Sequence, residues 1–456
     1  MKYAKYSVLT SALLMSLQVT AAELVPKDMW ASGFAKGTEI VSIQAQSQRV
    51  AVSNSEEGLV DVLGISAKGL HAQSRFADLV EEGEEITAVA FHPKHDYLAI
   101  AVRHADALQR GRVLVLDATK GAPLASLPIG VWPDSLAFSP DGQHLLVANE
   151  GEGYVPLGKG FVTARGSLSL LKTAGEPAQW QHQEISLPAL HGHPDMVAPQ
   201  HGRKLEREIN GAEITLPFDN SPEHLEPEYV AFSPDGRFAY VSLQENNAVL
   251  QLDIAKGSIA QVWGMGMTQH AADAKEDGQY QADFALTALR EPDGIALTPD
   301  GAYLLTADEG DTEPKVKKLK AGQPAGGGRT LSIFNAATGA FVADTGAQLD
   351  DMASAAGVYP DARSPAKGSE PENVVSFVAD EQLWAVVALE RADALALVSL
   401  ENIAEPKVVQ VLPLGEGAGS GEIAPEGLAH VVIEGRHYVV TGLEESGQVA
   451  LLELVL

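Results

Sequence analysis

Short apolar runs alternate with clusters of turn-forming residues along this chain, and the alternation repeats as a unit. Its clearest copy is Glu226-Pro-Glu-Tyr-Val-Ala-Phe-Ser-Pro-Asp-Gly-Arg-Phe-Ala-Tyr-Val-Ser-Leu-Gln-Glu245. The order is an acidic residue, an apolar strand, a Ser-Pro-Asp-Gly turn, a second apolar strand and a polar, acidic end. A third strand is predicted over Ala248 to Ile254 and a fourth, after Gly257, over Ile259 to Trp263. Pro presets φ, Asp bonds the backbone that follows it and Gly accepts positive φ. Pro-Asp-Gly therefore reads as a tight turn, and its Asp residues as structural.

The unit returns from Trp132-Pro-Asp134 to Asn149-Glu150 and from Glu291-Pro-Asp293 to Asp308-Glu309, with Ser139-Pro-Asp-Gly142 and Thr298-Pro-Asp-Gly301 as the turns. A looser copy runs from Glu84 through Phe91-His-Pro-Lys to Val102-Arg103. Two late copies run from Glu370-Pro-Glu372 to Leu389-Glu390 and from Ala424-Pro-Glu426 to Leu443-Glu444. A first copy, Thr38 to Asn54, has the strand pair without the turn signature. Seven copies over the roughly 434 residues after the N-terminal segment give about 62 residues each, room for four strands and loop insertions. The predicted fold is all-β: a seven-bladed β-propeller of four-stranded antiparallel blades. The last copy supplies only three strands, so the segment Asp28 to Ala35 is expected to add the missing outer strand, removing the open edge.

Three insertions interrupt the pattern: 188–224, which holds His191, His193, His201 and a charged run from Arg203 to Glu208; 265–290; and 344–369. In a propeller these connections share a face with the loops joining second to third strands, which are long at Gly151 to Gly166 and Gly310 to Arg329. One face is thus heavily elaborated, and loops on a rigid scaffold are where function usually sits.

Composition adds compartment and partner class. Lys2 and Lys5, the apolar stretch Val8 to Val19 and the small residues Thr20, Ala21 and Ala22 form a secretory signal over residues 1–22, leaving one propeller domain over 23–456. No later stretch is long and apolar enough to span a bilayer, and Leu451 to Leu456 is too short for an anchor. The absence of cysteine excludes disulfides and a lipid-modified cysteine. A periplasmic or secreted monomer is expected. The net charge is −29, and loss of Lys2 and Lys5 takes it to −31, which argues against nucleic acid and anionic membranes as partners.

The acidic residues are patterned. Asp134, Glu228, Asp293, Glu372 and Glu426 open first strands; Glu150, Glu245, Glu309, Glu390 and Glu444 close second strands. In a meander those two positions lie side by side at one end of the blade. Since the first strand lines the central channel, the carboxylates should gather at its elaborated mouth. Crowded carboxylates raise one another's pKa or require a cation. Oxygen-only ligands suit Ca2+, with Mg2+ less suited because it holds its waters. The competing reading is that they hydrogen-bond neighbouring backbone amides and join the blades without metal. Asn149-Glu-Gly-Glu152 and Asp308-Glu-Gly-Asp311 stand out, each with two acidic side chains around a Gly, followed by a long loop carrying Arg165 or Arg329. Such an arginine would orient the carboxylates or grip an anion. The candidate metal ligands are therefore Glu150, Glu152, Glu228, Glu245, Glu309, Asp311 and Glu372, with Arg165, Glu390 and Glu426 as further ligand-binding residues. The His191, His193 and His201 set matches no strong metal motif, and no Gly-x-Ser-x-Gly, phosphate loop or zinc-ligand helix is present.

The phrases Glu226-Pro-Glu-Tyr-Val, Ser242-Leu-Gln-Glu-Asn-Asn-Ala-Val249, Glu291-Pro-Asp-Gly-Ile295 and Thr306-Ala-Asp-Glu-Gly-Asp311 resemble the choice-of-anchor I family, which is itself similar to the mesenchyme-specific cell-surface glycoprotein. The resemblance spans nearly the whole chain after the signal. It implies an exported propeller, for whose relatives Ca2+ handling and a phosphatase-like activity are both suggested. It implies site roles for Asn149, Glu150, Gln244, Glu245, Asn246, Glu309, Asp311, Glu370 and Glu372, and so adds Asn149, Gln244 and Asn246 to the ligand-binding candidates. The chain departs from the family at Asp308, where Asn is usual, and at Thr312-Glu313, where an arginine is frequent; a Lys315 to Lys320 basic run follows. These changes weigh against an anion-binding role for that loop.

The leading expectation is a binding propeller that holds Ca2+ at its acidic mouth. The first alternative is a metal-dependent hydrolase of phosphoester or lactone type, with Glu150 or Glu309 as ligand or base and Arg165 on a small-molecule anion. The second is a protein-interaction platform using the 188–224 insertion. Whether the protein is an enzyme is left open, and no catalytic residue is assigned.

Overall fold

Each repeat becomes one four-stranded antiparallel sheet in the computed structural model, which describes residues 22–151, 155–157, 160–162, 164–188, 225–310, 319 and 325–456. The first strands of blades 1 to 7 are Thr38–Gln44, Glu85–Phe91, Pro133–Phe138, Val230–Phe232, Ile295–Leu297, Pro371–Ala379 and Pro425–Ile433. The second strands are Arg49–Asn54, Tyr97–Arg103, His144–Asn149, Phe238–Leu243, Tyr303–Asp308, Gln382–Leu389 and Arg436–Leu443. Every blade pairs its strands in chain order from the axis outward, except the last, whose outer strand comes from the other end of the chain.

The burial of each strand follows its place in the blade. In blade 4, Phe238–Leu243 and Ala248–Asp253 are buried along nearly their whole length, because a neighbouring blade covers each face. The outer strand Ser258–Gly264 is mostly exposed or half-buried and tolerates polar residues. An apolar cluster fills every interface between adjacent blades. Val60, Val62, Ile86 and Ile100 join blades 1 and 2, and Val50, Val52, Val440 and Leu451 join blade 1 to blade 7, closing the ring.

The Pro-Asp-Gly turns are structural, as expected. Asp235 accepts the Ser233 hydroxyl at 2.7 Å and the Arg237 amide at 3.0 Å, and Asp141 and Asp300 repeat the arrangement with Ser139 and Thr298.

The closing strand is Glu23–Ala31, not Asp28 to Ala35; it pairs antiparallel with Gln448–Val455, with a register shift between Pro26 and Asp28. Val25-Pro-Lys-Asp28 reads poorly as a strand because it mixes a proline with charges. An outermost strand has one unpaired edge, so it accommodates the missing proline N–H and the bulge.

The 265–290 insertion forms a hairpin, Met267–Ala272 with Phe284–Leu289, and the 344–369 insertion carries the helix Gln348–Ala355. Both meet at Arg329, which is wholly buried. Its guanidinium donates to the carbonyls of Asp273, Ser364 and Ala366 and to Asp350. Arg329 therefore fastens the insertions together through its two terminal nitrogens, while its Nε–H is buried without a hydrogen-bond partner among the described residues. Of the 188–224 insertion only Pro188 lies among the described residues, so the histidine set and the charged run fall outside them.

Candidate functional site

The site begins with the backbone at the blade openings. Trp132, Glu291, Glu370 and Ala424 each precede a proline and adopt left-handed φ of 52°, 49°, 54° and 50°. That conformation is costly for a residue with a side chain, yet it recurs because it aims a carbonyl at the end of the second strand. Trp132 accepts the Glu150 amide at 2.8 Å, Glu370 the Glu390 amide at 2.8 Å and Ala424 the Glu444 amide at 2.9 Å. Each bond anchors the backbone of an acidic residue. Beyond the proline the first strand bulges, between Pro133 and Leu136, Pro371 and Val374, and Pro425 and Leu428. The extra residue re-aims the strand, and the carboxylates of Asp134, Glu372 and Glu426 line the channel mouth.

The mouth is a cavity of about 250 Å³ to which every blade contributes one acidic residue: Glu39, Glu85, Asp134, Glu228, Asp293, Glu372 and Glu426. Arg103, Trp132, Gln244, Tyr229 and Asn373 complete much of the wall. Glu39 and Glu85 were missed in the sequence. Blade 1 has no proline at this point, but the pairing of Thr38 with Asn54 matches that of Pro133 with Asn149, and the same bulge follows. The shared Asn before an acidic stretch was the available signal.

Among the described residues, second-strand carboxylates complete four clusters, in each of which one oxygen per residue lies within 4.8 Å of the others. They are Glu150–Glu228–Glu245, Asp293–Glu309–Glu372, Glu309–Glu370–Glu390 and Glu390–Glu426–Glu444. Blade 4 departs from the expected register. Leu243 ends its second strand, so Gln244 occupies the place held by Glu150 and Glu390 elsewhere, and Glu245 lies one residue further into the turn.

Burial dominates the electrostatics of the mouth. It holds Glu228, Glu372 and Glu426 well above the usual carboxylate range, and neighbouring carboxylates push in the same direction. Burial also raises Asp293 to about 6, Asp134 to about 7, and Glu39 and Glu390 to about 8. Several side chains oppose it. Lys367 pairs with Glu309 and lies 3.5 Å from Glu370, and although its own burial works against the charge, these partners hold it protonated. Arg363 pairs with Glu370, Arg391 reaches Glu390 at 2.8 Å, and Arg103 pairs with Glu85 while lying 4.2 Å over the Trp132 ring.

The remaining candidates divide. Glu309 is buried with both oxygens engaged, one by Lys367 and the other by Gln244 at 2.7 Å. The Asn149 side chain is spent on Ser167 and Ser169 within blade 3 and on the Gly130 amide of blade 2, while Asn246 accepts the Glu226 amide at 3.1 Å. Both are wholly buried, and these bonds make them supports of the backbone beneath the site. Arg165 is exposed. Glu152 and Asp311 lie outside the described residues. The glycines that follow Glu150 and Glu309 have a steric reason. Gly151 and Gly310 have φ of 76° and 109°, and a Cβ would fall 2.6 Å from the Arg165 carbonyl carbon or 2.4 Å from Gly327 Cα.

Comparison with solved structures returns propellers at low identity. The β-propeller domain of Cps50 (Swd1) from Myceliophteria thermophila aligns with 94% of this chain and 100% of its own, at 9% identity and a TM-score of 0.53. Hydrazine synthase from Kuenenia stuttgartiensis aligns over 93% and 99%, at 14% identity and 0.54. A functionally unknown protein from Desulfotomaculum acetoxidans aligns over 88% and 91%, at 13% and 0.51. At these identities the likeness concerns the fold alone. Comparison with curated protein sequences gives no match. No helix among the described residues is long and apolar enough to cross a membrane. The choice-of-anchor I domain model matches residues 39–323 and 323–403, most of the chain. Domains of this kind are typical of surface or secreted proteins, and the chain belongs to the choice-of-anchor I domain family.

Proposed function

We propose that this protein is an exported binding propeller that holds a hard divalent cation, Ca2+, at the carboxylate-lined mouth of its channel. The observation that carries the reading is the convergence of one acidic residue from each of seven blades on a single cavity. Carboxylates buried together must be protonated, paired with tethered cations or neutralised by a bound ion. Among the described residues the wall contributes one basic side chain, Arg103, and that one is engaged with Glu85. The donors are oxygens, which favours Ca2+ over softer metals, and a site built from seven separate blades suits its flexible coordination better than the strict octahedron of Mg2+. Export into the periplasm or medium rests on the N-terminal signal; the closing strand begins at Glu23, the residue expected to follow cleavage.

The test is thermal unfolding and calorimetry of chelator-stripped protein with added CaCl2. A ligand at a hundred times its Kd stabilises the folded state by about 2.7 kcal/mol. A clear rise in Tm with Ca2+, and a smaller one with Mg2+, is expected. An unchanged Tm at millimolar Ca2+ would sink the reading.

A further inference from the structure

We propose that the central channel also binds a small amphiphilic cation, an alkylammonium whose charged head lies among the carboxylates of the mouth and whose apolar tail runs along the axis. This goes beyond the calcium reading, since it concerns a second ligand of the same channel. Next to the mouth lies a second cavity, of about 260 Å³, and the two share Ile40, Ser135 and Tyr229. The lining changes character between them. The mouth takes its acid from the openings of the first strands, at residues such as Glu39, Glu85, Asp134 and Glu228. Further along the same strands the wall includes Val41, Ala88, Ala90, Leu136, Ala137 and Val230. Among the described residues no charged side chain lines this second cavity. The channel is therefore acidic at one end and apolar beyond it.

A ligand with a cationic head and an apolar tail matches both halves. The mouth alone, at about 250 Å³, is several times the roughly 30 Å³ that one water takes in the liquid. An inorganic ion accounts for only part of that space. Glu228 is 9% exposed and lines the mouth, yet its Oε2 is buried without a hydrogen-bond partner among the described residues. Buried carboxylate oxygens almost always have a partner, and an ammonium brings three N–H donors together with a positive charge. The chain already uses an ammonium in this way, since Lys367 Nζ lies against Glu309 and donates to the Gly310 carbonyl at 3.0 Å. Beyond the head, the apolar wall favours methylenes over water. An anion would meet the seven carboxylates, and a neutral apolar molecule would leave Glu228 without a donor.

Calorimetric titration of chelator-stripped protein with octylammonium chloride, ethylammonium chloride and octan-1-ol separates head from tail. Octylammonium is expected to bind at least tenfold more tightly than either, because burying about two methylenes is enough for that factor. Glu228→Gln should weaken octylammonium at least fivefold and leave the weaker octanol binding as it was. Ala137→Leu, which narrows the second cavity, should weaken octylammonium without changing CaCl2 uptake. Thermal unfolding checks that both variants fold, and the comparison of the three ligands on wild type needs neither. Octanol binding as tight as octylammonium would overturn the role of the mouth, and ethylammonium binding as tight would overturn that of the apolar wall. No binding of octylammonium would overturn the proposal and leave the calcium reading standing. Octylammonium binding without uptake of Ca2+ would remove the calcium reading alone.

Discussion

Arg329 and Arg391 illustrate how much a residue's surroundings decide the worth of the same charge. The Arg329 side chain is fully buried, and its partner Asp350 is 2% exposed. Three carbonyls and a carboxylate depend on it. Arg329→Met is expected to lower stability by about 3–5 kcal/mol, because it strands a buried carboxylate and several acceptors. Arg391 is 37% exposed, so solvent screens its pairs, and Arg391→Met should cost at most about 1 kcal/mol. Urea unfolding of the two variants in EDTA checks the ranking. Equal midpoints would contradict the assignment of Arg329 as the fastening point of the two insertions.

Among the elements, the closing strand is the most exposed to test. Its second residue, Leu24, is 1% exposed and packs with Trp384, Leu395 and Leu452 in the interface between blades 6 and 7. Gln410 of blade 6 clamps it, accepting the Leu24 amide at 2.7 Å and donating to its carbonyl at 3.1 Å. Leu24→Ala is expected to cost about 2 kcal/mol, the low end for a buried leucine because an outermost strand, paired on one side, relaxes into the space. Deletion through Ala31 leaves Gln448–Val455 as an open edge. Size-exclusion chromatography should then show association; a monomeric product with wild-type Tm would contradict the role of the strand. The need for this strand was legible from the three-stranded last repeat, and the hairpins from Pro-Asp-Gly chemistry, because both are local. Glu39 had only the shared Asn before an acidic stretch to signal it, and Glu85 and the shift from Glu245 to Gln244 were not legible, since a bulge or a turn shifted by one residue leaves little mark on the apolar alternation of two adjacent strands. Lys367 was not legible either: an insertion loop brings it to Glu309 across 58 residues.

For the molecule as a whole, 61 acidic residues stand against 32 basic ones, but the subset at the mouth governs how stability follows pH. Asp293, Asp134, Glu39 and Glu390 have folded-state values raised to between about 6 and 8, against about 4 when unfolded. A raised carboxylate binds its proton more tightly in the folded state. Its contribution is therefore complete below the unfolded value and is lost as pH rises through the folded one. The turn residues Asp141, Asp235 and Asp300 are held low by Ser or Thr hydroxyls, and burial pushes His430 down to about 4. These groups act oppositely and lose their contribution as pH falls. The metal-free protein should accordingly be most stable near about pH 5–6, with Tm in EDTA falling steadily from pH 6 to 8.5. A divalent ion substitutes for the shared protons, so saturating Ca2+ should remove most of that decline and leave the acid side unchanged. Binding at pH 7 should also release protons, and the calorimetric enthalpy should then vary with the ionisation enthalpy of the buffer. A flat or rising Tm in EDTA across pH 6 to 8.5 would mean that the mouth is neutralised within the chain, leaving no charge for an ion to balance.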